Sequence, residues 1–255
     1  MNGRSSTNPH SAATCSAVCA RAPKSVWEFT HLSLRVGCVG RETLRARRQR
    51  QYAHHMRLHH QPRSRSTRVL WALEEIGAPF ELTVITSEDK KSPEYRALHP
   101  LGRSPVLEED GGPVFESAGL ILHVADLHPE AGLIAAPGSH ERALQYQWCF
   151  FGMTDLEAAL VDVARQLWKE SGEPDTDVID RARVRFAAAA AVIEAAVSES
   201  EFLVANTFSV ADIVIGSVLG FARTAELAEL LPGVVPYVDR LEARPARQRA
   251  VAVSV

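Results

Sequence analysis

The sequence predicts an α/β domain followed by an all-helical domain, and three observations indicate this division. From residue 56 onward the pattern reads strand–helix–strand and then strand–strand–helix, with Gly and Pro between the apolar runs. A segment with Pro and Gly follows at 128–140. Beyond it, apolar residues recur at helical spacing and no strand pattern returns. The predicted domains are therefore 56–128 and 139–255.

Short strands surround two helices in the first domain. The predicted strands are 57–60, 80–85, 105–108 and 113–116, and the helices are 66–76 and 117–127, with a short turn-helix after Pro93. Val69, Leu73 and Ile76 form one helical face, and Gly77 supplies the stop. A right-handed crossover makes the first two strands parallel neighbours, and a hairpin through 110–113 adds an antiparallel edge. Ser117 is predicted to cap the second helix.

Long helices fill the second domain. They are predicted at 139–168, 178–198, 209–231 with a break, and 234–243. Ser209 with Asp212 three residues later reads as a capping box, which has a structural role and not a catalytic one. Trp148 and Phe151 share one helical line, where most side chains are expected in the core and some are expected to line an apolar cleft for a substrate.

Charge and cysteine content exclude several classes of function. Residues 1–55 hold nine Lys/Arg and two acidic residues, whereas the rest of the chain holds 19 basic and 29 acidic residues. The domains are acidic, so we expect no nucleic-acid partner, and no apolar run is long enough to span a membrane. Four cysteines, of which only Cys149 lies in the domains, give neither a disulfide framework nor a metal site. A reducing, cytoplasmic compartment is the expectation.

The first 55 residues carry Ser, Ala, Arg and His without sustained periodicity. We expect a disordered leader or a mis-assigned start, because Met56 immediately precedes the first strand. Their Arg-rich, acid-poor composition also suits a mitochondrial transit peptide, and a basic tail for anionic partners is a further alternative.

Three motifs occur in a fixed order along the domains. They are Arg-Ser-Arg-Ser-Thr-Arg-Val-Leu-Trp-Ala-Leu-Glu-Glu-Ile-Gly at 63–77, Leu-Gly-Arg-Ser-Pro-Val-Leu at 101–107 followed by Glu116-Ser117, and Phe-Ser-Val-Ala-Asp-Ile at 208–213. From about residue 56 to 255 the chain resembles the soluble glutathione S-transferases, and most of all the bacterial serine-type, theta-like members. The resemblance implies a thioredoxin-like first domain, glutathione as co-substrate with no metal or other cofactor, a homodimer and a role in detoxification.

The resemblance implies a serine that donates a hydrogen bond to the glutathione sulfur. Counting back four positions from Arg68 gives Ser64, and Ser66 is the alternative. A hydroxyl donor stabilises the thiolate over the thiol. Either serine could instead only cap the helix that follows. No Tyr or Cys stands in this loop, which argues against the tyrosine-type and cysteine-type classes.

The other glutathione contacts are also carried over by resemblance. Ser104 stands before a family cis proline, Pro105, and pairs through its backbone with the cysteinyl part of glutathione; because the contact is backbone, Ser in place of the usual Val is expected to matter little. Arg103 either reaches the glycyl carboxylate or is a solvated turn residue. Glu116 and Ser117 bind the γ-glutamyl end at a helix N-terminus.

The predicted function is transfer of the glutathione thiolate to a small electrophilic, largely apolar substrate. One alternative is a glutathione-dependent disulfide reductase or peroxidase, which uses the same thiolate. Another is a non-catalytic module that binds a protein partner. Ser64 and the Glu116-Ser117 pair disfavour the module, which has no need of them, and fold alone does not decide.

Overall fold

The computed structural model describes residues 55–253. Residues 1–54 of the predicted leader lie outside this range, and His55 bonds the Glu81 carboxylate at 3.0 Å. The α/β half contains β1 (Arg57–His60), α1 (Ser66–Ile76), β2 (Glu81–Val84), α2 (Pro93–Leu98), β3 (Val106–Glu109), β4 (Gly112–Phe115) and α3 (Ser117–Leu127). The helical half contains α4 (His140–Phe151), a π-helical segment (Gly152–Glu157), α5 (Ala158–Leu167), α6 (Thr176–Val197), α7 (Val210–Thr224), α8 (Val235–Glu242) and α9 (Pro245–Ala252).

The four strands form one mixed sheet in the order β2–β1–β3–β4. β1 and β2 are parallel, with Leu58 opposite Leu82, whereas the β1–β3 and β3–β4 pairs are antiparallel. Strand pairing therefore confirms the predicted crossover and hairpin, and the predicted fold class is confirmed as well.

Helix α1 is the central element that joins the two halves. It packs on α3 beside the sheet and on α7 and α9 of the helical half. Trp71 is 1% exposed, and its ring lies 5.9 Å from that of Phe208, at the start of the Ser209 capping box. The cap is present as predicted, with the Ser209 amide donating to Asp212 at 2.9 Å. Both predicted domains thus contribute to one continuous core.

The long helix predicted at 139–168 is interrupted by a π-helical segment. Gly152 begins it, and a Cβ at this position would lie 3.0 Å from atoms of Val214 and Ile215 on α7. Glycine therefore lets the two backbones approach closely. π-Helical turns within α-helices occur frequently at functional sites, and this one ends at the buried Glu157.

Two local expectations were wrong. Ser117 does not cap α3: the cap position is Glu116, with φ +78°, and Ser117 is the first helical residue. The second miss is α9, which buries only two alanines and so lacks an apolar face. Ion pairs attach it to α1 instead, between Arg244 and Glu75 and between Arg249 and Glu74.

Candidate functional site

Ser64 lies in the loop between β1 and α1 and is the centre of a chain of three hydroxyls. Its Oγ is 2.8 Å from Ser66 Oγ and 3.1 Å from Ser104 Oγ. The Ser66 amide donates to Ser64 Oγ at 3.2 Å. Ser64 is half-buried, so its hydroxyl remains accessible to a ligand. The structure also brings the Ser104 side chain into the site, which the backbone-only expectation did not include.

Ser66 is fully buried and its hydroxyl is occupied by protein groups. Its Oγ accepts from the Gln61 amide and donates to the Gln61 carbonyl, both at 2.9 Å. His60 Nδ1 lies 2.8 Å from the same oxygen. Burial lowers the pKa of His60, which favours the neutral ring. These contacts give Ser66 a structural role, and leave Ser64 as the hydroxyl that faces outward.

The Ser104–Pro105 peptide bond is cis. Pro105 is buried and leads directly into β3. The Tyr95 hydroxyl donates to the Arg103 carbonyl at 2.9 Å, and burial raises the pKa of Tyr95 to about 12, so this hydroxyl stays protonated. The Arg103 side chain is exposed. The loop before the cis bond is therefore fixed to the protein by the Tyr95 hydroxyl, and its outer face is exposed to solvent.

At the start of α3, an exposed residue precedes a buried one. Glu116 is exposed, whereas Ser117 is 2% exposed. Ser117 Oγ lies 3.5 Å from Arg68 Nη1, the limit of a hydrogen bond. The first amides of any helix have no intrahelical acceptor. The positive φ of Glu116 turns the chain into α3 at this point. The first amides of α3 therefore lie beside the Ser117 hydroxyl and the Arg68 guanidinium.

Arg68 connects this place to the helical half. Its side chain is 5% exposed, and Nη2 lies 2.8 Å from Glu157 Oε2 at the end of the π-helical segment. Arg65 also pairs with the Glu157 carboxylate. Burial opposes ionisation of Glu157, but the charges of Arg68 and Arg65 and their hydrogen bonds outweigh it and lower the pKa of the carboxyl group. The pair is therefore ionised and fixes the start of α1 against the helical half.

A cavity of about 1110 Å³ opens on the side of Ser64 that faces the helical half. Its walls come from α1, α5, α7, α8 and α9; they include Val161, Trp168, Ser217, Phe221, Glu242 and Arg247, in addition to Ser64 and Arg68. Sequence reasoning missed these residues, because α5, α7 and α9 are brought together only by tertiary packing. The glutathione-site candidates Arg103, Ser104, Glu116 and Ser117 do not line this cavity.

The structure places the two predicted cleft residues elsewhere. Trp148 is 8% exposed in the core, in an edge-to-face contact with Phe151, and neither residue lines the cavity. Their contact with substrate stays a prediction. Cys149, between them, is buried, and burial raises the pKa of its thiol to about 12, so it is not a ready nucleophile.

Among residues 55–253, no group of three or more His, Cys, Asp or Glu side chains is arranged to hold a metal ion. None of the helices there is both long and apolar enough to cross a membrane.

Comparison with known proteins agrees with this geometry. Residues 58–132 match the family model "Glutathione S-transferase, N-terminal domain", and 176–247 match "Glutathione S-transferase, C-terminal domain". A glutathione S-transferase of Silene vulgaris is 30% identical over 216 residues, which are 78% of this chain and 97% of that protein.

Two further similarities, one to a solved structure and one to a sequence, show the range of related proteins. A crystal structure of a glutathione transferase from Methylococcus capsulatus matches 77% of this chain and 97% of its own, with 26% identity and a TM-score of 0.68. Elongation factor 1-gamma of Prunus avium is 27% identical over 168 residues, 65% of this chain but only 38% of that protein.

Proposed function

Because this chain belongs to the glutathione S-transferase family, we propose that it is a serine-type transferase that joins the glutathione thiolate to a small electrophile. The observation that carries the proposal is the position of Ser64. Its half-buried hydroxyl lies 3.1 Å from Ser104 Oγ, beside the cis Ser104–Pro105 bond, and also lines the cavity of the helical half. A sulfur bound there has a donor on one side and space for a second substrate on the other.

Ser64 is suited to donate to sulfur because its oxygen already accepts from the Ser66 amide. A hydroxyl has one proton to donate. Without a ligand that proton points to Ser66 Oγ or Ser104 Oγ; with glutathione it turns to the sulfur. A hydrogen bond to the thiolate, next to the positive end of α1, lowers the pKa of the bound thiol.

The two ends of glutathione are assigned to the other candidates. The γ-glutamyl carboxylate binds the first amides of α3 and the Ser117 hydroxyl, and Glu116 pairs with the ammonium group. The backbone of Ser104, fixed before Pro105, pairs with the cysteinyl residue, and Arg103 takes the glycyl carboxylate. These contacts belong to the predicted domain at 56–128, and the electrophile contacts belong to 139–255.

In the reaction, the sulfur electron pair forms a bond to the electrophilic carbon. The bond from that carbon to its leaving group breaks, and the leaving group departs with its electron pair. Held donors and a partly enclosed cavity contribute through positioning and electrostatic stabilisation. We place the enzyme in the cytoplasm, as its cysteine content indicates, and expect a homodimer, as the resemblance implies, with no cofactor besides the co-substrate.

Titration of the full chain with glutathione in a calorimeter, followed by initial-rate assays, tests this function. The three assay substrates are 1-chloro-2,4-dinitrobenzene, cumene hydroperoxide and a mixed disulfide, each with glutathione. We expect saturable glutathione binding and turnover of the aryl halide above the uncatalysed rate. Turnover of only the hydroperoxide or disulfide would establish the alternative chemistry, and absence of glutathione binding would leave the non-catalytic module.

A further inference from the structure

The cavity beside Ser64 is positively charged within an acidic protein. Five arginines and two glutamates line it, a net charge of +3. By contrast, residues 56–255 hold 19 basic and 29 acidic residues. A cavity with walls of low polarity concentrates the field of such charges and attracts ligands of the opposite sign.

Arg247 on α9 is the arginine best placed to bind a ligand. Its side chain is 12% exposed, and the nearest carboxylate oxygen among residues 55–253, Glu242 Oε1, is 3.6 Å away, longer than a hydrogen bond. Glu242 is equally close to Arg223 on its other oxygen, at 3.6 Å, so its charge is shared. Arg247 makes no hydrogen bond to any residue from 55 to 253, whereas Arg65 and Arg68 already pair with Glu157.

The rest of the wall is apolar and includes aromatic rings. Val161, Ala164, Trp168, Phe221 and Val251 face the same space. Arg247 lines this space as well, with its guanidinium carbon 5.3 Å from the centre of the Trp71 ring. An occupant therefore needs an apolar body and one anionic group.

We propose that the electrophilic substrate is an apolar carboxylic acid whose carboxylate binds Arg247 while its reactive carbon faces Ser64. The inference rests on the proposed function, whose second substrate it names by class. Arg247 presents a planar pair of donors that matches a carboxylate, and these donors hydrogen-bond to no residue from 55 to 253.

The test compares 4-chloro-3,5-dinitrobenzoate with its uncharged carboxamide in two assays on the full chain. Binding without glutathione is followed by quenching of tryptophan fluorescence, to which Trp168 in the cavity wall contributes. Turnover with glutathione is measured as kcat/KM, divided by the uncatalysed rate of each compound. We expect the wild type to prefer the carboxylate by about tenfold in both assays, as one charged hydrogen bond allows.

Three variants locate the preference. Arg247→Gln should abolish the about tenfold preference for the carboxylate over the carboxamide. Arg247→Lys should retain part of this preference because the charge remains. Arg249→Gln is the matched control: Arg249 is on the same helix, pairs with Glu74 and does not line the cavity. It should keep the full preference.

Each outcome separates this inference from the proposed function. Turnover of both compounds with equal normalised rates and equal binding would overturn the carboxylate site and leave the transferase intact. Preferential binding of the carboxylate with no turnover of either compound would support the site and overturn the transferase. A preference that Arg247→Gln leaves unchanged would overturn the assignment to Arg247. If that variant does not fold, the wild-type preference and the Arg247→Lys value decide.

Discussion

The two sides of the N-terminal end of α1 are built in different ways. On the side proposed to bind glutathione (the glutathione side), short motifs place Ser64, Ser104 and Ser117 at the ends of strands and helices of one small sheet domain. On the cavity side, single side chains from distant elements meet: Arg65 and Glu157 are 92 residues apart in the chain. Local backbone geometry positions the side chains on the glutathione side, whereas ion pairs between buried charges position those on the cavity side.

This difference has consequences for stability and for binding. A change on the cavity side removes one partner of a buried ion pair and should affect the whole fold. A change on the glutathione side removes one of several ligand contacts on a backbone that remains in place, so it should affect affinity or the pKa of the bound thiol.

The largest effect is expected for Glu157→Gln. The substitution keeps the volume of the side chain but leaves Arg68 buried without its counter-charge, so the free energy of unfolding should fall by about 3–5 kcal/mol. Urea unfolding followed by circular dichroism measures this change.

The matched control is Glu74→Gln, which removes a partner from the Arg249 pair, where the arginine side chain is 55% exposed. Exposed pairs contribute about 0–1 kcal/mol. Equal losses of unfolding free energy in the two variants would show that the buried pair with Glu157 stabilises the fold no more than an exposed pair does.

A smaller effect, on affinity, is expected for Ser117→Ala. Glutathione binding should weaken by about 1–3 kcal/mol, because a bound carboxylate loses a hydrogen bond. Since Ser117 is not the cap of α3, the fold should change little. Ser139→Ala is the control. Ser139 caps α4, so its substitution should lower the stability of the protein without changing its affinity for glutathione. Calorimetric affinities that match the wild type in both variants would place the γ-glutamyl end elsewhere.

A pH dependence distinguishes two buried histidines of the α/β half, His60 in β1 and His99 after α2, from the carboxylate on the cavity side. Burial lowers the pKa of His60 and of His99 below the ordinary 6.5, so the unfolded chain binds more protons just below that pH. Stability should therefore fall as the pH decreases through 6.5. The pKa of Glu157 is lowered from 4.5, so this group contributes only at more acidic pH.

Melting temperatures from pH 8 to pH 5.5 check this expectation. His60→Asn keeps a hydrogen-bonding group near Ser66 Oγ and removes the titrating ring, so its melting temperature should vary less with pH than that of the wild type. Identical slopes in the two proteins would mean that His60 does not contribute.

The same comparison explains what the sequence could predict. Strand order and the capping box at Ser209 follow from local patterns, and the observed elements match most predicted ranges. The cis Ser104–Pro105 bond agrees with a family feature. Helix α9 was missed because it binds α1 through ion pairs such as Arg244–Glu75 and not through an apolar stripe. The cavity residue Arg247 belongs to that helix, so no sequence signal could have placed it beside Ser64.

Ser104 and Ser66 show that sequence alone does not assign roles to neighbouring serines, even within a recognised motif. The sequence offered two serines for one role, and it gave no reason for a third to take part. Burial and hydrogen bonds distinguish them: the Ser66 hydroxyl is taken by Gln61 and His60, whereas Ser64 lies between the other two. Such distinctions depend on which lone pairs and protons remain free, which only atomic positions reveal.

The central claim is that a hydrogen bond from the Ser64 hydroxyl stabilises the thiolate of bound glutathione and so lowers the pKa of its thiol. Ultraviolet absorbance of the bound thiolate, titrated against pH, tests this claim most directly. Ser64→Ala should bind glutathione nearly as well as the wild type, because the ends of the tripeptide are held elsewhere. Its titration midpoint should rise by about one pH unit, which corresponds to a donor contribution of about 1.4 kcal/mol. Ser66→Ala should lose stability and keep its midpoint. A midpoint that moves in Ser66→Ala and not in Ser64→Ala would contradict the assignment, and a midpoint that moves in neither would show that the serine-type mechanism is wrong.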